Sequence, residues 1–529
     1  MNGNIGGKAP IGECKATVVY MSGYLPGAAP EKSPILSPVP VRLPAAVHGG
    51  DSWKDVCGGG CGFAMAISEK GKLITWGSTD DEGQSYVASG KHGETPEPFP
   101  LPTEAPVVQA SAGWAHCAVV TETGEAFTWG WKECIPSKDT VGKQQSGSSE
   151  QVSQPSQGSN TASGMTLQNE TRKVGEESVK RRRVSSSTAK DETEGLTTSG
   201  GNFFATTPSL VSVGLGVKIT SVATGGRHTL ALSDIGQIWG WGYGGEGQLG
   251  LGSRIKMVSS PHLIPCLEST GSGKERSFIL HQGGTTTTSA QVSREPGRYI
   301  KAISCGGRHS AAITENFDRD CTSFLVTDAG GLITFGWGLY GQCGHGNTNY
   351  QLRPMAVSSV KSVRMESVAA GLWHTICISS DGKVYAFGGN QFGQLGTGTD
   401  HAEILPRLLD GQNLEGKHAK AVSCGARHSA VLAVLICGLS FKGEKVSSFL
   451  LNICNMFVKH FAFYDMCLML MLLLKDGQLL CWGWNKYGQL GLGDTNDRNI
   501  PTQVQLDGCR LRKVACGWWH TLLLADSPT

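Results

Sequence analysis

The sequence predicts an all-β protein, a seven-bladed β-propeller built from four-stranded antiparallel blades. Two observations carry this prediction. A Gly-x-x-His pattern recurs with a period near 53 residues, and in most units without an insertion an aromatic-Gly pair follows about 15 residues later. In addition, 73 of the 529 residues are glycine, which suits many tight turns. A fixed period of this length is typical of repeat architectures in which each unit is one small sheet.

Each unit divides into short strands separated by turns. Within 367–388, Val368 to Ala370 forms one strand, and His374 to Ser379 alternates as a second strand. Asp381-Gly382 is typical of a two-residue hairpin turn, and Val384 to Phe387 follows as a third strand. One such sheet cannot bury both of its faces alone, but radial packing of sheets buries them and leaves only short edges.

The two ends of the chain indicate how the ring closes. The last repeat, Gly517 to His520, is followed by too few residues to complete its sheet. Near the N-terminus, Val18 to Gly23 matches the strand of the aromatic-Gly pair, and Pro38 to Leu43 matches the strand after it. We therefore expect the termini to share one blade, with 1–17 as a flexible extension and 18–529 as an interrupted propeller.

The residues repeated once per unit are interpreted as structural. A ring of histidines could instead form a catalytic or metal site. However, a residue that is present in nearly every unit is expected to stabilise the fold of that unit. An imidazole there can bridge backbone groups of neighbouring sheets, one nitrogen donating and the other accepting. One copy, Gly60 to Phe63, keeps the frame without the histidine. The repeated residues are His116, His228, His309, His374, His428 and His520, with the packing tryptophans Trp76, Trp129, Trp239 and Trp482.

The two halves of the motif, Gly-x-Arg-His-Ser/Thr and Trp-Gly-x-Gly-x-x-Gly-Gln-Leu-Gly, resemble the regulator of chromosome condensation repeat. Gly225 to Thr229 and Gly247 to Gly250 are examples. The resemblance covers nearly all of the chain outside its insertions and implies a seven-bladed propeller. Within that family the chain is most similar to the plant branch, in particular to the member named for tolerance to chilling and freezing. A plant UV-B photoreceptor is a more distant relative.

Two polar insertions interrupt the repeats at 133–201 and 268–297. The first is rich in serine, glutamine, glycine and threonine, a composition that favours disorder. It holds the densest basic run of the chain, and the alternatives for that run are a solvated charge cluster and a nuclear localisation signal. We favour the signal, formed by Lys180, Arg181, Arg182 and Arg183, with Ser185, Ser186 and Ser187 as candidate phosphorylation sites beside it.

Two further insertions, 315–327 and 434–474, enter the same inner hairpin of two different units. Removing each one restores an ordinary step from the repeat histidine to the turn glycine, at Gly330 and Gly477. We interpret both as aberrant segments that arise from retained introns. The rival interpretation of 434–474 is a membrane span, but Lys459, His460, Asp465 and Lys475 leave no run near the roughly 18 apolar residues a span requires.

Composition and motifs restrict the cellular location and the chemistry that we expect for the protein. The net charge of +2 gives no global attraction to polyanions. Seventeen cysteines without a visible secretory signal indicate a reducing compartment, and no paired Cys-x-x-Cys zinc spacing is present. No nucleophile elbow, Walker loop or HExxH helix indicates an enzyme. We expect no cofactor, no metal, no membrane contact, and a location in the nucleus with some cytoplasmic protein.

Three functions follow from the resemblance. The first is a non-catalytic nuclear scaffold, chromatin-associated, that regulates gene expression through a propeller face, with histones or nucleosomes and an import receptor as partners. Its chilling-tolerance relative adds a role in the cold-stress response. Sequence-specific DNA binding is not expected. The second is guanine-nucleotide exchange on a Ran-type GTPase. The third is UV-B reception, which implies tryptophans at the second motif position of consecutive blades, whereas tryptophan stands there only at Trp114 and Trp518.

Overall fold

The computed structural model describes residues 17–24, 34–44, 51–137, 204–265, 299–315, 330–435 and 477–526, apart from positions 43, 59, 61–62, 78–85, 88–89, 92–94, 115, 215, 412 and 507. Regular structure in these ranges is β, with two 3-10 turns at Lys132–Cys134 and Ser358–Val360. Among the residues described, no helix has the length and apolar character that a bilayer crossing demands.

The strands of the first half of the chain are β1 (Thr17–Gly23), β2 (Ile35–Pro40), β3 (Trp53–Cys57), β4 (Phe63–Ser68), β5 (Leu73–Gly77), β6 (Tyr86–Val87), β7 (Gly90–Lys91), β8 (Glu97–Pro98), β9 (Val107–Ala112), β10 (His116–Thr121), β11 (Ala126–Trp131), β12 (Phe204–Val211), β13 (Ile219–Thr224), β14 (His228–Ser233), β15 (Ile238–Gly244) and β16 (Ile255–Leu263). The strands of the second half are β17 (Tyr299–Cys305), β18 (His309–Glu315), β19 (Leu332–Gly336), β20 (Gln351–Ala356), β21 (Met365–Ala370), β22 (His374–Ser379), β23 (Val384–Gly388), β24 (Glu403–Leu408), β25 (Lys417–Cys424), β26 (His428–Leu435), β27 (Gln478–Gly483), β28 (Arg498–Val504), β29 (Leu511–Cys516) and β30 (His520–Asp526).

Seven four-stranded antiparallel sheets form the blades, and β6 pairs with β7 in a separate small hairpin. Counted from the inner strand outward, blade 1 is β3-β4-β5-β8, blade 2 is β9-β10-β11-β12, blade 3 is β13-β14-β15-β16, blade 4 is β17-β18-β19-β20, blade 5 is β21-β22-β23-β24, blade 6 is β25-β26-β27-β28 and blade 7 is β29-β30-β1-β2. Each inner strand contacts the inner strands of the blades before and after it, which closes the ring. The predicted seven-bladed all-β propeller is confirmed.

Burial differs from the alternation expected for the second strand of a blade. Every residue of β4, β10, β14 and β22 is buried. The expectation of an alternating strand at His374 to Ser379 was therefore wrong, because each sheet is covered on both faces by its neighbours. The sheets pack through large apolar side chains, and Trp76, Trp129, Trp241, Trp482, Phe335 and Phe387 are all less than 2% exposed.

The termini share blade 7, as the repeat register indicates. β1 pairs with β30 along its whole length, from Thr17 opposite Asp526 to Gly23 opposite His520. Val19 and Met21 are fully buried in the interface with blade 1. The outer strand lies at Ile35–Pro40, three residues earlier than the match at Pro38 to Leu43 indicates. The bulge between Met21 and Gly23 also occurs in blades 4, 5 and 6. The strand starts earlier because Gly23 pairs with a residue 12 positions later, whereas Gly388 pairs with one 15 positions later.

The outer strand of every blade contains a proline, which protects the rim. Proline has no N–H to donate and is confined to the edges of sheets, so these strands are poor templates for pairing with another chain. The prolines are Pro38, Pro98, Pro208, Pro261, Pro354, Pro406 and Pro501.

The two hairpin insertions enter turns whose flanking strands keep the ordinary register. In blade 4 the N–H of Gly330 donates to the carbonyl of Thr314 at 2.8 Å, the same bond that Gly382 makes to Ser379 in blade 5. In blade 6, Ala433 still pairs with Gln478. The described strand β26 runs on to Leu435, so its pairing with β25 extends two residues beyond the insertion point predicted at 434.

We expect a chain that joins Ala433 directly to Lys475 to fold with an intact blade 6. The flanking residues already hold the register of an uninterrupted hairpin, so its far-UV circular dichroism should match that of the full chain and its melting temperature should not fall. The matched control removes 315–327 from blade 4. Loss of β signal in the shortened chain, or a spliced message that retains the 434–474 segment, would contradict the retained-intron interpretation.

Met21→Ala should destabilise the closure of the ring. The side chain is fully buried in β1, and shortening a buried methionine costs about 2–5 kcal/mol. Urea unfolding measures the change. Met355→Ala is the control, because that side chain is 40% exposed on the outer strand β20 and its loss should cost under about 0.5 kcal/mol. Equal effects of the two substitutions would mean that β1 contributes no packing to closure.

Candidate interaction surface

The antiparallel order of each blade gives the ring two different faces. The connection from the first to the second strand and that from the third to the fourth emerge at one end of the sheet, here called the loop face. The hairpin between the second and third strands and the link to the next blade lie at the opposite end, here called the hairpin face. The repeat motifs Gly-x-x-His and Gly-Gln-Leu-Gly both lie in loop-face connections.

The repeat histidines hold neighbouring blades together beneath the loop face. All six are fully buried. In five of them Nε2 meets the hydroxyl of the residue that follows the histidine of the next blade: His116 with Thr229 at 2.6 Å, His228 with Ser310, His309 with Thr375 and His374 with Ser429 at 2.9 Å, and His428 with Thr521 at 3.0 Å.

The same hydroxyl also forms a hydrogen bond with the Gly-Gln-Leu-Gly loop. The Oγ1 of Thr375 donates to the carbonyl of Gln342 at 2.9 Å, and the Oγ of Ser429 donates to that of Gln394 at 2.8 Å. A hydroxyl whose single hydrogen is used in this way must accept from the imidazole. The network therefore assigns the proton of His309 and His374 to Nε2.

This geometry corrects the expectation that both ring nitrogens bridge backbone groups. The Nδ1 of His228 has no hydrogen-bond partner among the described residues, and neither has that of His374. The reason is local: the nearby N–H of Gly225 donates to the carbonyl of His228 itself, and Gly371 does the same with His374. The carbonyl of the neighbouring loop is reached through the hydroxyl.

Burial keeps these imidazoles neutral. Desolvation lowers the pKa of His116, His228, His309, His374 and His520 to about 3 and that of His428 to about 4. A neutral imidazole can donate at one nitrogen without the cost of burying a charge. These groups are structural contacts between blades and not acid–base catalysts at neutral pH.

The motif glycine permits the close approach of blades around the central channel. A Cβ on Gly225 would overlap the carbonyl oxygen of Gly306 in the next blade and the ring of His228. The channel is lined by these glycines and by small residues that include Cys305, Cys424 and Cys516. Burial raises the pKa of the Cys305 and Cys516 thiols to about 12, so they behave as small packing residues.

The repeat tryptophans occupy the same place in successive blades, with one correction. Trp76, Trp129 and Trp482 are buried, and each lies opposite the residue that follows the motif histidine or its phenylalanine replacement. In blade 3 that place belongs to Trp241, opposite Thr229, and Trp239 lies two residues earlier and is only partly buried. The Trp-Gly-Trp-Gly sequence fits either register, but the glycine with a left-handed backbone after the tryptophan is Gly242, with φ of 95°.

The loop face carries a collar of aromatic rings and arginines above the histidine layer. Its contacts form two groups, one that joins Trp131, Arg227, Trp114 and Trp518 and a larger one that contains Arg308 and Arg427. Neighbouring rings lie 5.4–6.1 Å apart between centroids, and the collar joins connections of blades 2 to 7. We call these rings, together with the arginines Arg227, Arg308 and Arg427, the aromatic collar. The rings are Tyr24, Trp114, Trp131, Trp337, Tyr340, Trp373, Phe392, Trp484, Tyr487, Trp518 and Trp519.

Two tryptophans from non-adjacent blades meet in this collar. Trp114 of blade 2 and Trp518 of blade 7 lie 5.7 Å apart between ring centroids, although blade 1 comes between these two blades in the ring. Trp114 is 37% exposed. The sequence shows tryptophan at the second motif position of these two blades, but only the closed ring brings them into contact.

Sequence reasoning missed most of the collar. The motif arginine was visible at Arg227, Arg308 and Arg427, and an aromatic residue precedes the Gly-Gln-Leu-Gly glycine at Tyr340, Phe392 and Tyr487. A signal was therefore present in the spacing. The contact between the two sets depends on the fold, because the loops that carry them are far apart along the chain.

The other predicted site residues fall elsewhere. The basic run Lys180 to Arg183 and Ser185 to Ser187 lie outside the described residues. Within the described part of the chain, no group of three or more histidine, cysteine or acidic side chains could hold a metal ion. The collar thus offers contact surface and fixed positive charge.

The buried histidines predict acid unfolding with the uptake of several protons. Because the folded pKa lies near 3 and the unfolded value near 6.5, the unfolded chain binds more protons between these limits, so stability is full above about pH 6.5 and falls as the pH is lowered. Each histidine contributes a slope of up to about 1.4 kcal/mol per pH unit. Urea unfolding between pH 4.5 and 8 measures it.

His374→Gln should reduce the number of protons taken up on unfolding by about one, which lowers the slope of stability against pH by up to about 1.4 kcal/mol per pH unit. His401→Gln is the control, since the His401 side chain is 86% exposed and is not part of the buried layer. A slope that His374→Gln leaves unchanged would show that the buried imidazole does not set the pH dependence.

Comparison with known proteins places the repeat in a family. Two models of the regulator of chromosome condensation (RCC1) repeat match the chain. The first matches 236–290, 329–378, 381–432 and 476–524, and the second matches 107–134, 219–248 and 366–394. These ranges cover parts of blades 2 to 7 as the structure defines them.

Curated relatives share this repeat. The ultraviolet-B receptor UVR8 of Arabidopsis thaliana is 29% identical over 345 residues, which are 60% of this chain and 66% of the receptor. The human E3 ubiquitin-protein ligase HERC2 is 30% identical over 325 residues, which are 58% of this chain and 6% of the ligase. The chain therefore matches just under two thirds of the receptor's length and a small part of the ligase.

Solved structures share the fold. Prp20p of Saccharomyces cerevisiae superposes with a TM-score of 0.60 at 18% identity, covering 97% of this chain and 92% of that one. Human WBSCR16 gives 0.58 at 18% identity, covering 97% and 100%. The repeat register, the seven blades and these matches lead to one conclusion: the chain belongs to the regulator of chromosome condensation (RCC1) repeat family.

Proposed function

We propose that this protein is a non-catalytic protein-interaction scaffold that binds its partner through the loop face of the propeller. The observation that carries the proposal is the aromatic collar. Tryptophan, tyrosine and arginine are the residues most enriched where protein interfaces concentrate their binding energy. Here they form one surface on a rigid ring, with Trp114 37% and Leu339 50% exposed.

Rigidity of the support strengthens this proposal. The loops that carry the collar are fixed from below by the histidine–hydroxyl contacts, and Gln342 and Gln394 close their own turns by accepting from the backbone of Tyr340 and Phe392. A preorganised surface loses less conformational entropy when a partner binds. This favours recognition of a partner over an adaptive or catalytic role.

A nuclear, chromatin-associated role is the finer part of the proposal. Its support is the basic run Lys180 to Arg183 in the sequence and the shared fold with Prp20p, a protein whose binding to Gsp1p and histones has been described and which has been crystallised with Kap60. By this analogy the partners are histones or nucleosomes and an import receptor. A function in the cold-stress response rests on the resemblance to the chilling-tolerance member.

Nucleotide exchange on a Ran-type GTPase is the second candidate. Its support is the same likeness to Prp20p, which binds Gsp1p. UV-B reception is the third, supported by the match to UVR8. For reception, the resemblance implies a cluster of tryptophans from consecutive blades. At the second motif position, the collar supplies the contacting pair Trp114 and Trp518.

Affinity capture from nuclear extract tests these functions against each other. The full chain and the chain without 434–474 serve as bait, with washes of graded salt and identification by mass spectrometry. We expect histones that are lost as the salt rises, because contacts to nucleosomes are largely electrostatic. Recovery of nucleotide-free Ran without histones would instead establish exchange. If neither bait retains any protein, the scaffold proposal is wrong.

A further inference from the structure

Arg427 is a cation enclosed by aromatic rings and left without an anionic partner. Its guanidinium carbon lies 5.4 Å from the ring centroid of Trp373, 4.8 Å from that of Phe392 and 5.3 Å from that of Trp484. Among the described residues, no carboxylate pairs with this guanidinium and no hydrogen bond satisfies its donors. Desolvation by these rings lowers the pKa of Arg427, which shows that its charge is held partly away from water.

Arg227 repeats this arrangement on the opposite side of the channel. Its guanidinium carbon lies 4.1 Å from the ring centroid of Trp131 and 5.9 Å from that of Trp114. Its Nε is buried and has no hydrogen-bond partner in the part of the protein described. A buried donor without an acceptor is costly, so the hydrogen-bonding capacity of this half-buried guanidinium is not satisfied within the described chain.

Arg308 provides the contrast within the same collar. It lies 5.2 Å from the ring of Trp337, and its Nη1 donates to Glu246 at 3.3 Å. The repeat therefore places an arginine on the collar three times, and the chain neutralises one of the three. The two that stay unneutralised lie in different groups of rings, Arg227 beside the exposed Trp114 and Arg427 between Trp373 and Trp484.

We propose that the collar is a docking site for an acidic protein segment whose carboxylates pair with Arg427 and Arg227 while its apolar side chains lie on the surrounding rings. The inference rests on the proposed scaffold function and specifies the chemistry of the partner. Guanidinium presents a planar fork that binds carboxylate bidentately, and the aromatic neighbours hold that fork in one plane.

Two other occupants fit the surface less well. Single-stranded nucleic acid needs open ring faces for stacking and a track of cations for phosphates, whereas these rings pack against one another and two cations are unneutralised. A second copy of the chain would bring like charges together across a two-fold axis, because arginines outnumber the carboxylates that contact them in the collar.

Direct binding measurements test the proposal. The probes are a fluorescein-labelled acidic peptide of four Glu-Glu-Leu repeats, its counterpart of four Lys-Lys-Leu repeats, and a labelled 20-base single-stranded DNA, each titrated with the full chain and followed by fluorescence anisotropy. We expect the acidic peptide to bind most tightly. Arg427→Gln and Arg227→Gln should each weaken it about tenfold, the effect of losing one charge-assisted contact.

Two further variants separate a binding effect from a folding effect. Arg427→Lys keeps the charge but loses the planar fork, so it should restore binding only in part. Arg407→Gln is the matched control: this arginine lies on the outer rim, is paired with Glu403 at 2.6 Å, and should leave the affinity unchanged. Unchanged thermal unfolding of each variant shows that the loops remain in place.

Equal affinity of the wild type and the Arg227→Gln/Arg427→Gln double variant for the acidic peptide would overturn the proposal. So would tighter binding of the DNA, or a dimer in light scattering that the double variant abolishes. The proposed function fails in a separate result, in which the wild-type chain captures no protein from nuclear extract. If the double variant still captures the same nuclear proteins, the scaffold function stands and the docking site is elsewhere.

Discussion

The contact on which the structure depends is the neutral imidazole that joins neighbouring blades from blade 2 to blade 7. His309, His374 and His428 each lie in a fully desolvated layer and reach a hydroxyl of the following blade. That hydroxyl in turn donates to a carbonyl in the loop between the third and fourth strands of the histidine's own blade, so the contact joins loop-face connections of two neighbouring blades. These contacts form only while the imidazoles are uncharged. Protonation of the histidines would therefore weaken both the packing between blades and the support of the loop face.

The interface between blades 1 and 2, which has no histidine contact among the described residues, supports this view. Blade 1 has Phe63 in place of the histidine, and the residue that meets it in blade 2 is Cys117 instead of serine or threonine. A phenyl ring needs no hydrogen-bond partner, and a hydroxyl opposite it would be buried without one. The polar pair has therefore been replaced on both sides, and apolar packing joins these two blades.

The two faces of the ring differ in what they carry. Turns on the hairpin face receive the 315–327 and 434–474 insertions, while the strands beside them keep their register. The outer edges are protected by at least one proline per blade. The loop face, in contrast, rests directly on the histidine layer, and its aromatic and arginine side chains are held in fixed contacts. A rigid surface of this composition is suited to binding a protein partner. Its unneutralised arginines favour a partner with negative charge.

The sequence by itself determined the number of blades, the order of strands within each blade and the shared blade of the termini. These follow from local signals that recur once per unit, such as the Asp381-Gly382 turn and the Gly-x-x-His motif, and repetition corrects the ambiguity of any single copy. Trp239 shows the limit: a two-residue pattern fits two registers, and only the pairing of β14 with β15 selects Trp241. The tertiary structure alone decided the partner of each histidine and the aromatic collar. Both arise between residues from different blades, such as Trp114 and Trp518, and the spacing within one unit contains no information about which side chains ring closure brings together.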